Sequence, residues 1–408
     1  MDKTANRFDA ANVGQPHRRP QACPPRRIEL DVPAVRFGKG SPDDRRRSEL
    51  GLENTPMTPV AKTPPRVMLV APRGEPGLLG SYGRALERLG ADVCYWDEQA
   101  AIGRSVRLGG LGRRFNAFVP VAPWEARANR EFIVAARAEC PDAILVAASA
   151  RIDAGALGQL RAALPAVRPV LVWPDPMINL RQPTLAALPL YDLVATYSER
   201  SVESFKKLGA RNAQWVPFAA DPDLFPADVS TTTEQERRYA CDVIFVGNPR
   251  PERERAVLAL LERGLDVKVW GTSDWVRSTT DRARARRYWQ GSPVFGEDFV
   301  RANRCARFAL NVIDDTNYPA ANMRFFETMA CRAPALVSSC PEMEGEFPEG
   351  TGVAYFHSEA ELLSKAVALL DDVEGRQRMA EKGYERVLAR HTYQHRARQV
   401  LAEIGLEL

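Results

Sequence analysis

At 408 residues with 45% apolar side chains, the chain is too long for one compact core and can fill two, each of about 150 to 200 residues. Its net charge of +4 comes entirely from residues 1–65, where 12 Lys and Arg stand against 8 acids, so the remainder is balanced and no nucleic-acid partner is expected. No apolar run reaches the roughly 18 residues of a membrane span, "MDKTANRFDAANVG" lacks a secretory apolar core, and seven scattered cysteines without a CxxC pair argue against a disulfide framework or zinc site, so a cytoplasmic location is expected.

Residues 1–65 hold 10 of the 31 prolines and runs such as "HRRPQACPPRR". They read as a basic, Pro/Arg-rich disordered extension; a docking arm and a start at Met57 are the alternatives. "RVMLVAP" from Arg66 predicts a buried strand, and "GLLGSYGRALERLGA" after it has helical apolar spacing. "AILVAAS", "PVLVWPDP" and "DLVATYS" are further strands, separated by helices such as "GALGQLRAAL", which gives a first α/β domain over 66–225. The polar stretch "PADVSTTTEQERRYA" marks a boundary. A second domain, 241–390, opens at "CDVIFVGN" and runs through the helix "ERERAVLALLERG" and the strands "DVKVWG" and "RFALNVI". It then reaches "YPAANMRFFETMACRAPALV", a loop, an amphipathic helix and a strand. Residues 391–408 read as a C-terminal helix packing back across the domains. The expected fold class is α/β, two Rossmann-like domains whose parallel sheets face a central cleft, with ligands beyond the carboxyl ends of the strands.

Small and polar residues gather at those strand ends. Gly247 and Asn248 follow "DVIFV", Gly271 follows "DVKVW", and Asp314 and Asp315 follow "LNVI"; each also suits an ordinary turn. In the first domain Gly77 and Gly80 open a helix and Asp175 ends a strand, so all three are candidates to border the cleft. GxGxxG, GxxxxGK[ST], GxSxG and HExxH are all missing. Of the four histidines, His17 lies in the extension, and His391 is expected to pack the C-terminal helix.

Together, "DVIFVGNPRPERE", "GLDVKVWG", "ALNVIDD", "NMRFFETMACRAPALVS" and "HTYQHRARQVL" resemble the C-terminal half of GT-B glycosyltransferases, specifically the branch related to the spore-maturation protein CgeB and to glycosyltransferase family four. "VLVWPDP" and "WVPFAADPDLF" resemble that branch's first half. The resemblance implies a metal-independent, retaining glycosyltransferase of hexosyltransferase type that needs no cofactor. Its partners would be a nucleotide-sugar donor and an unknown acceptor: glycan, protein or small molecule. It places Glu327 on the ribose hydroxyls and Asn322, Met323 and Arg324 beside the diphosphate, with Gly247, Asn248, Arg253 and Gly271 in the donor site. Gly77, Gly80 and Asp175 fall to the acceptor or cleft side. Helix-start compensation is the other reading of Glu327. Two residues depart from the pattern: Pro319 stands where many relatives carry a second glutamate, and Arg332 where they carry glycine. The alternative they leave open is a noncatalytic nucleotide-sugar-binding or partner-binding protein of the same fold.

Overall fold

The computed structural model describes residues 63–106, 121–148 and 150–408. The expectation for residues 1–65 lies almost wholly outside that range. From Pro64 onward the chain forms one unit.

Strands β1 (Arg66–Leu69), β2 (Asp92–Tyr95), β3 (Ala143–Ala147), β4 (Arg168–Trp173), β5 (Leu193–Thr196) and β6 (Ala213–Trp215) form a parallel sheet in the order β2-β1-β3-β4-β5-β6. Both faces are covered by helices, which is why its strands read as continuous apolar runs. Strands β7 (Cys241–Val246), β8 (Val267–Trp270), β9 (Trp289–Gly291), β10 (Ala306–Asn311), β11 (Ala335–Ser338) and β12 (Val353–Phe356) form a second parallel sheet, ordered β12-β11-β10-β7-β8-β9. Successive residues of β7 serve opposite cores. Val243 and Phe245 meet Val257 and Leu260 of the helix Pro251–Glu262, while Ile244 and Val246 meet Phe299, Phe325 and Phe326. Neighbouring strands β7 and β10 lead away in opposite directions, so a topological switch point, where a crevice opens, lies between their carboxyl ends.

The last helix, Tyr393–Glu403, leaves the second sheet's half and packs on the first. Tyr393, Ala397, Val400 and Leu401 share a core with Leu79 and Tyr82. Arg396 donates through Nε to the Pro217 carbonyl (2.8 Å) and through Nη2 to that of Phe218 (3.1 Å). The polar boundary stretch carries structure that its composition hides. Helix Thr233–Tyr239 starts with a Thr232–Gln235 capping box, and its single large apolar residue, Tyr239, is buried 5.4 Å from the Trp270 ring. Seven residues with one apolar anchor leave too little periodicity to read.

Arg332 adopts φ 55°, the left-handed region that costs a non-glycine residue roughly 1 to 2 kcal/mol. Its guanidinium lies 4.2 Å above the Tyr384 ring, a contact that offsets part of that cost.

Candidate functional site

A cavity of about 640 Å³ opens at the switch point of the second sheet. Its floor is β7 and β10: Ile244 to Gly247 on one side, Ala309 to Asn311 on the other. Glu75, Pro76, Gly77, Pro174 and Phe218, from the first sheet's loops, line it from across the cleft.

The helix Met323–Ala330 supplies one wall. Asn322 is its N-cap, accepting from the Phe325 N–H (3.1 Å), and exchanges amide hydrogen bonds of 3.0 and 2.8 Å with Asn311 at the end of β10. The helix start is thereby fixed to the sheet. Glu327 lies in the second turn, buried at 6% exposure, and no acid occupies the first turn. With Asn322 already capping, Glu327 is not a helix-start residue. Its carboxylate instead pairs with Arg324 one turn earlier, and the Arg324 guanidinium rests 4.7 Å above the Phe299 ring.

The opposite wall carries a second cation. Arg253 sits in the first turn of the helix Pro251–Glu262, where it donates to the carbonyls of Asn248 (3.1 Å) and Val312 (3.3 Å) and pairs with Asp314 at 2.9 Å. Burial opposes ionisation of Asp314. The Thr316 hydroxyl, the Arg253 charge and two Asn317 bonds outweigh it and hold the carboxyl below its ordinary range. Asp314 is therefore a charged anchor that aims Arg253, and its role is no longer that of a simple polar turn.

The structure brings Gly77, Gly247, Arg253, Asn322, Met323, Arg324 and Glu327 to this one cavity. Asn248, Gly271, Gly80 and Asp175 are not among its lining residues. Asn248 contributes its carbonyl to Arg253. A Cβ on Gly271 would lie 2.2 Å from the Gly247 carbonyl oxygen, and one on Gly80 would lie 1.7 Å from that of Glu75, so close packing accounts for both glycines. Asp175 follows the lining residue Pro174, and partial burial raises its carboxyl pKa. Glu75, Phe295, Phe299, Asn311 and Asn317 also line the cavity but carry no sequence signal of their own; the turn residues around Glu75 were the available hint.

Two contacts hold the halves together beside the cavity. The Tyr197 hydroxyl donates to Asn317 Oδ1 (2.9 Å), and the Glu342 carboxylate accepts from the Ser198 hydroxyl (2.8 Å) and the N–H groups of Glu199 (3.0 Å) and Arg200 (3.1 Å). His391 takes no part in the cavity. It stacks on Phe326, and burial, with nearby arginines, pushes its pKa down to about 3. Among the described residues no cluster of three His, Cys, Asp or Glu side chains is placed to hold a metal, and no helix is long and apolar enough to cross a membrane.

Residues 250–402 match a family model described as glycosyl transferase-like. Curated protein sequences yield no match. Among solved structures, sucrose-phosphate synthase from Thermosynechococcus elongatus superposes with a TM-score of 0.58 at 14% identity, over 82% of this chain and 97% of that one. Anabaena HepE in complex with UDP-glucose gives 0.57 at 15%, over 84% and 99%. The α,α-trehalose 6-phosphate synthase of Burkholderia multivorans gives 0.57 at 14%, over 84% and 96%. The fold is GT-B, two Rossmann-like halves with parallel sheets.

Proposed function

We propose that the chain is a glycosyltransferase that takes a sugar from a nucleoside-diphosphate donor seated on the second sheet and passes it to an acceptor presented by the first. The observation that carries this reading is the meeting of Glu327, Arg324 and Arg253 in one cavity at the switch point of a GT-B fold. A family match over the second half and a similar structure holding UDP-glucose support it. Glu327 would accept bonds from both ribose hydroxyls, releasing Arg324 toward the diphosphate that Arg253 faces from the opposite wall. Two guanidiniums provide charge for a departing diphosphate, so transfer is proposed to run without a bound metal or cofactor.

With no histidine among the described residues that line the cavity, we assign the acceptor proton to the departing diphosphate. The acceptor oxygen bonds to the anomeric carbon on the face the diphosphate leaves. The sugar–phosphate bond breaks with its electron pair on phosphate, which takes the proton, and configuration is retained. Affiliation with the CgeB-like branch rests on the shared motifs. Calorimetry with UDP tests the site, and UDP release from a panel of UDP-sugars with simple sugars as acceptors tests transfer. Binding without any release would favour the noncatalytic reading, which Pro319 supports by offering no second carboxylate near the sugar.

A further inference from the structure

A second polar cavity, of about 570 Å³, lies at the other end of the same sheet. It is bordered by Cys241 and Ala306, the first residues of β7 and β10, and by Pro334 just before β11. Strand β7 is six residues long, so this edge is about 20 Å from Gly247 and the donor cavity. Four guanidiniums surround it: Arg304, Arg307, Arg332 and Arg376.

Few of them are directly paired. Arg376 is 6% exposed and donates to the carbonyls of Leu369 and Leu370 (2.9 Å to the latter), yet among the described residues no carboxylate is within ion-pair distance of it. Arg304 donates to the Cys331 carbonyl (3.0 Å), and neither it nor the exposed Arg307 has an ion pair among those residues. Arg332, whose guanidinium stacks on Tyr384, makes one loose ion pair, 3.6 Å to Glu381. Burial, and then the charge of Arg307, disfavour the Arg376 cation, and the nearby carboxylates of Asp372 and Asp242 offset them only in part, so an added anion would favour it further. Arg332 is also the residue that holds a left-handed backbone where glycine would be at ease, and its side chain belongs to this rim.

The remaining lining narrows the ligand. Glu236, Asp242 and Asp266 border the cavity too, which disfavours a bare multivalent anion and offers acceptors for hydroxyl groups. Among the described residues no aromatic side chain lines it, so they offer no platform for a nucleobase. We propose that this cavity binds a small phosphorylated sugar or polyol, with the phosphate on the guanidiniums of Arg304, Arg307, Arg332 and Arg376 and the hydroxyls on the carboxylates. Guanidinium forks match phosphate oxygens in pairs. The site stands apart from the cleft and does not depend on the activity proposed there. It touches the cleft through one element. The helix Val373–Arg390 presents Val373, Arg376, Gln377 and Ala380 to the ligand, and farther along, Gly383 packs on Gly352 and Met329 behind Glu327.

The test is calorimetry of the full chain with glucose 6-phosphate, glucose and inorganic phosphate as probes, repeated in Arg307→Gln and Arg332→Gly. Arg307 is exposed and glycine suits φ 55°, so both variants should keep the fold, which UDP binding and melting curves check independently. Glucose 6-phosphate should bind saturably and raise the melting temperature, with glucose silent and phosphate at least tenfold weaker. Each variant should weaken glucose 6-phosphate at least tenfold and leave UDP affinity unchanged. No saturable binding, equal affinity for phosphate and glucose 6-phosphate, unchanged affinity in both variants, or displacement of glucose 6-phosphate by UDP would each overturn the proposal.

Discussion

Glu327 and Arg324 stand one helical turn apart and pair with each other, so a donor must compete with that pair for both side chains. Both ribose hydroxyls are stronger partners for a carboxylate than for an amide, and hydrogen bonds to a charged group contribute about 1.5 to 3 kcal/mol. Glu327→Gln should therefore lower UDP affinity about 10- to 150-fold by calorimetry. Arg324 is partly solvated and glutamine keeps an oxygen acceptor for it, so stability should fall by less than the roughly 3 to 5 kcal/mol of breaking a fully buried pair. Unchanged affinity with a lower melting temperature would remove Glu327 from the ribose. His391 gives a second test at this scale. Burial first, and then the charge of Arg396, move its pKa from 6.5 to about 3, so the native state holds it neutral while the unfolded chain protonates near 6.5. Its contribution is complete above 6.5 and is lost as pH falls toward 3. His391→Asn keeps an acceptor for the Arg396 Nη2 group, 2.8 Å from Nδ1, but cannot titrate. Urea unfolding at several pH values should show the wild type's advantage over this variant shrinking from pH 6.5 downward; a constant difference would contradict the burial argument.

The helix bearing Glu327 is held from behind by a contact between two glycines. A Cβ on Gly383 would lie 2.4 Å from the Gly352 Cα, and one on Gly352 would lie 2.4 Å from Met329 Sδ. Gly383→Ala should destabilise the protein by about 1 to 3 kcal/mol through overpacking, read as a lower urea midpoint at unchanged slope. It should also weaken UDP, because relief must come from a shift of the helix Met323–Ala330. Neither glycine had a sequence signal, since positions 31 residues apart meet only once two α/β layers close. Elements of the second half were legible for the opposite reason. A buried parallel strand is a short apolar run, and "DVIFV" and "DVKVW" each ended at a glycine where β7 and β8 end, whereas "RFALNVI" ran two residues past the end of β10 at Asn311. Motif proximity brought Asn322 to Glu327 to one cavity, because five of its lining positions, Asn322, Met323, Arg324, Glu327 and Thr328, lie on a single helix and its cap. It could not separate Gly247, which lines the cavity, from Gly271, which packs beneath Trp275, because the two loops read alike. The cluster of Arg304, Arg307, Arg332 and Arg376 was illegible because four separate segments contribute it.

At the scale of the whole chain, the question is what sets the two sheets against each other. The last helix joins them by packing, but the polar contacts at the mouth of the cleft are few and specific. Tyr197 meets Asn317, which in turn holds Asp314 and so Arg253. Glu342, at the start of the short helix Pro341–Glu344, reaches across to accept three bonds at the start of the helix Arg200–Lys207. An ionised carboxylate suits that position twice over, since it satisfies two free N–H groups and complements the helix dipole. Because the proposed donor contacts come from the second sheet, binding and alignment should separate in a variant. Glu342→Ala removes all three bonds without touching the donor wall. UDP affinity should remain within about threefold, whereas the transfer rate should fall about tenfold or more, since acceptor groups on the first sheet lose their register with the donor. EDTA should leave both quantities unchanged if arginines alone carry the phosphate charge. Titration calorimetry beside a UDP-release assay reads the split directly. Equal losses in affinity and rate would show that Glu342 merely supports the donor wall. A lower melting temperature with both quantities intact would make it a structural tie with no part in alignment.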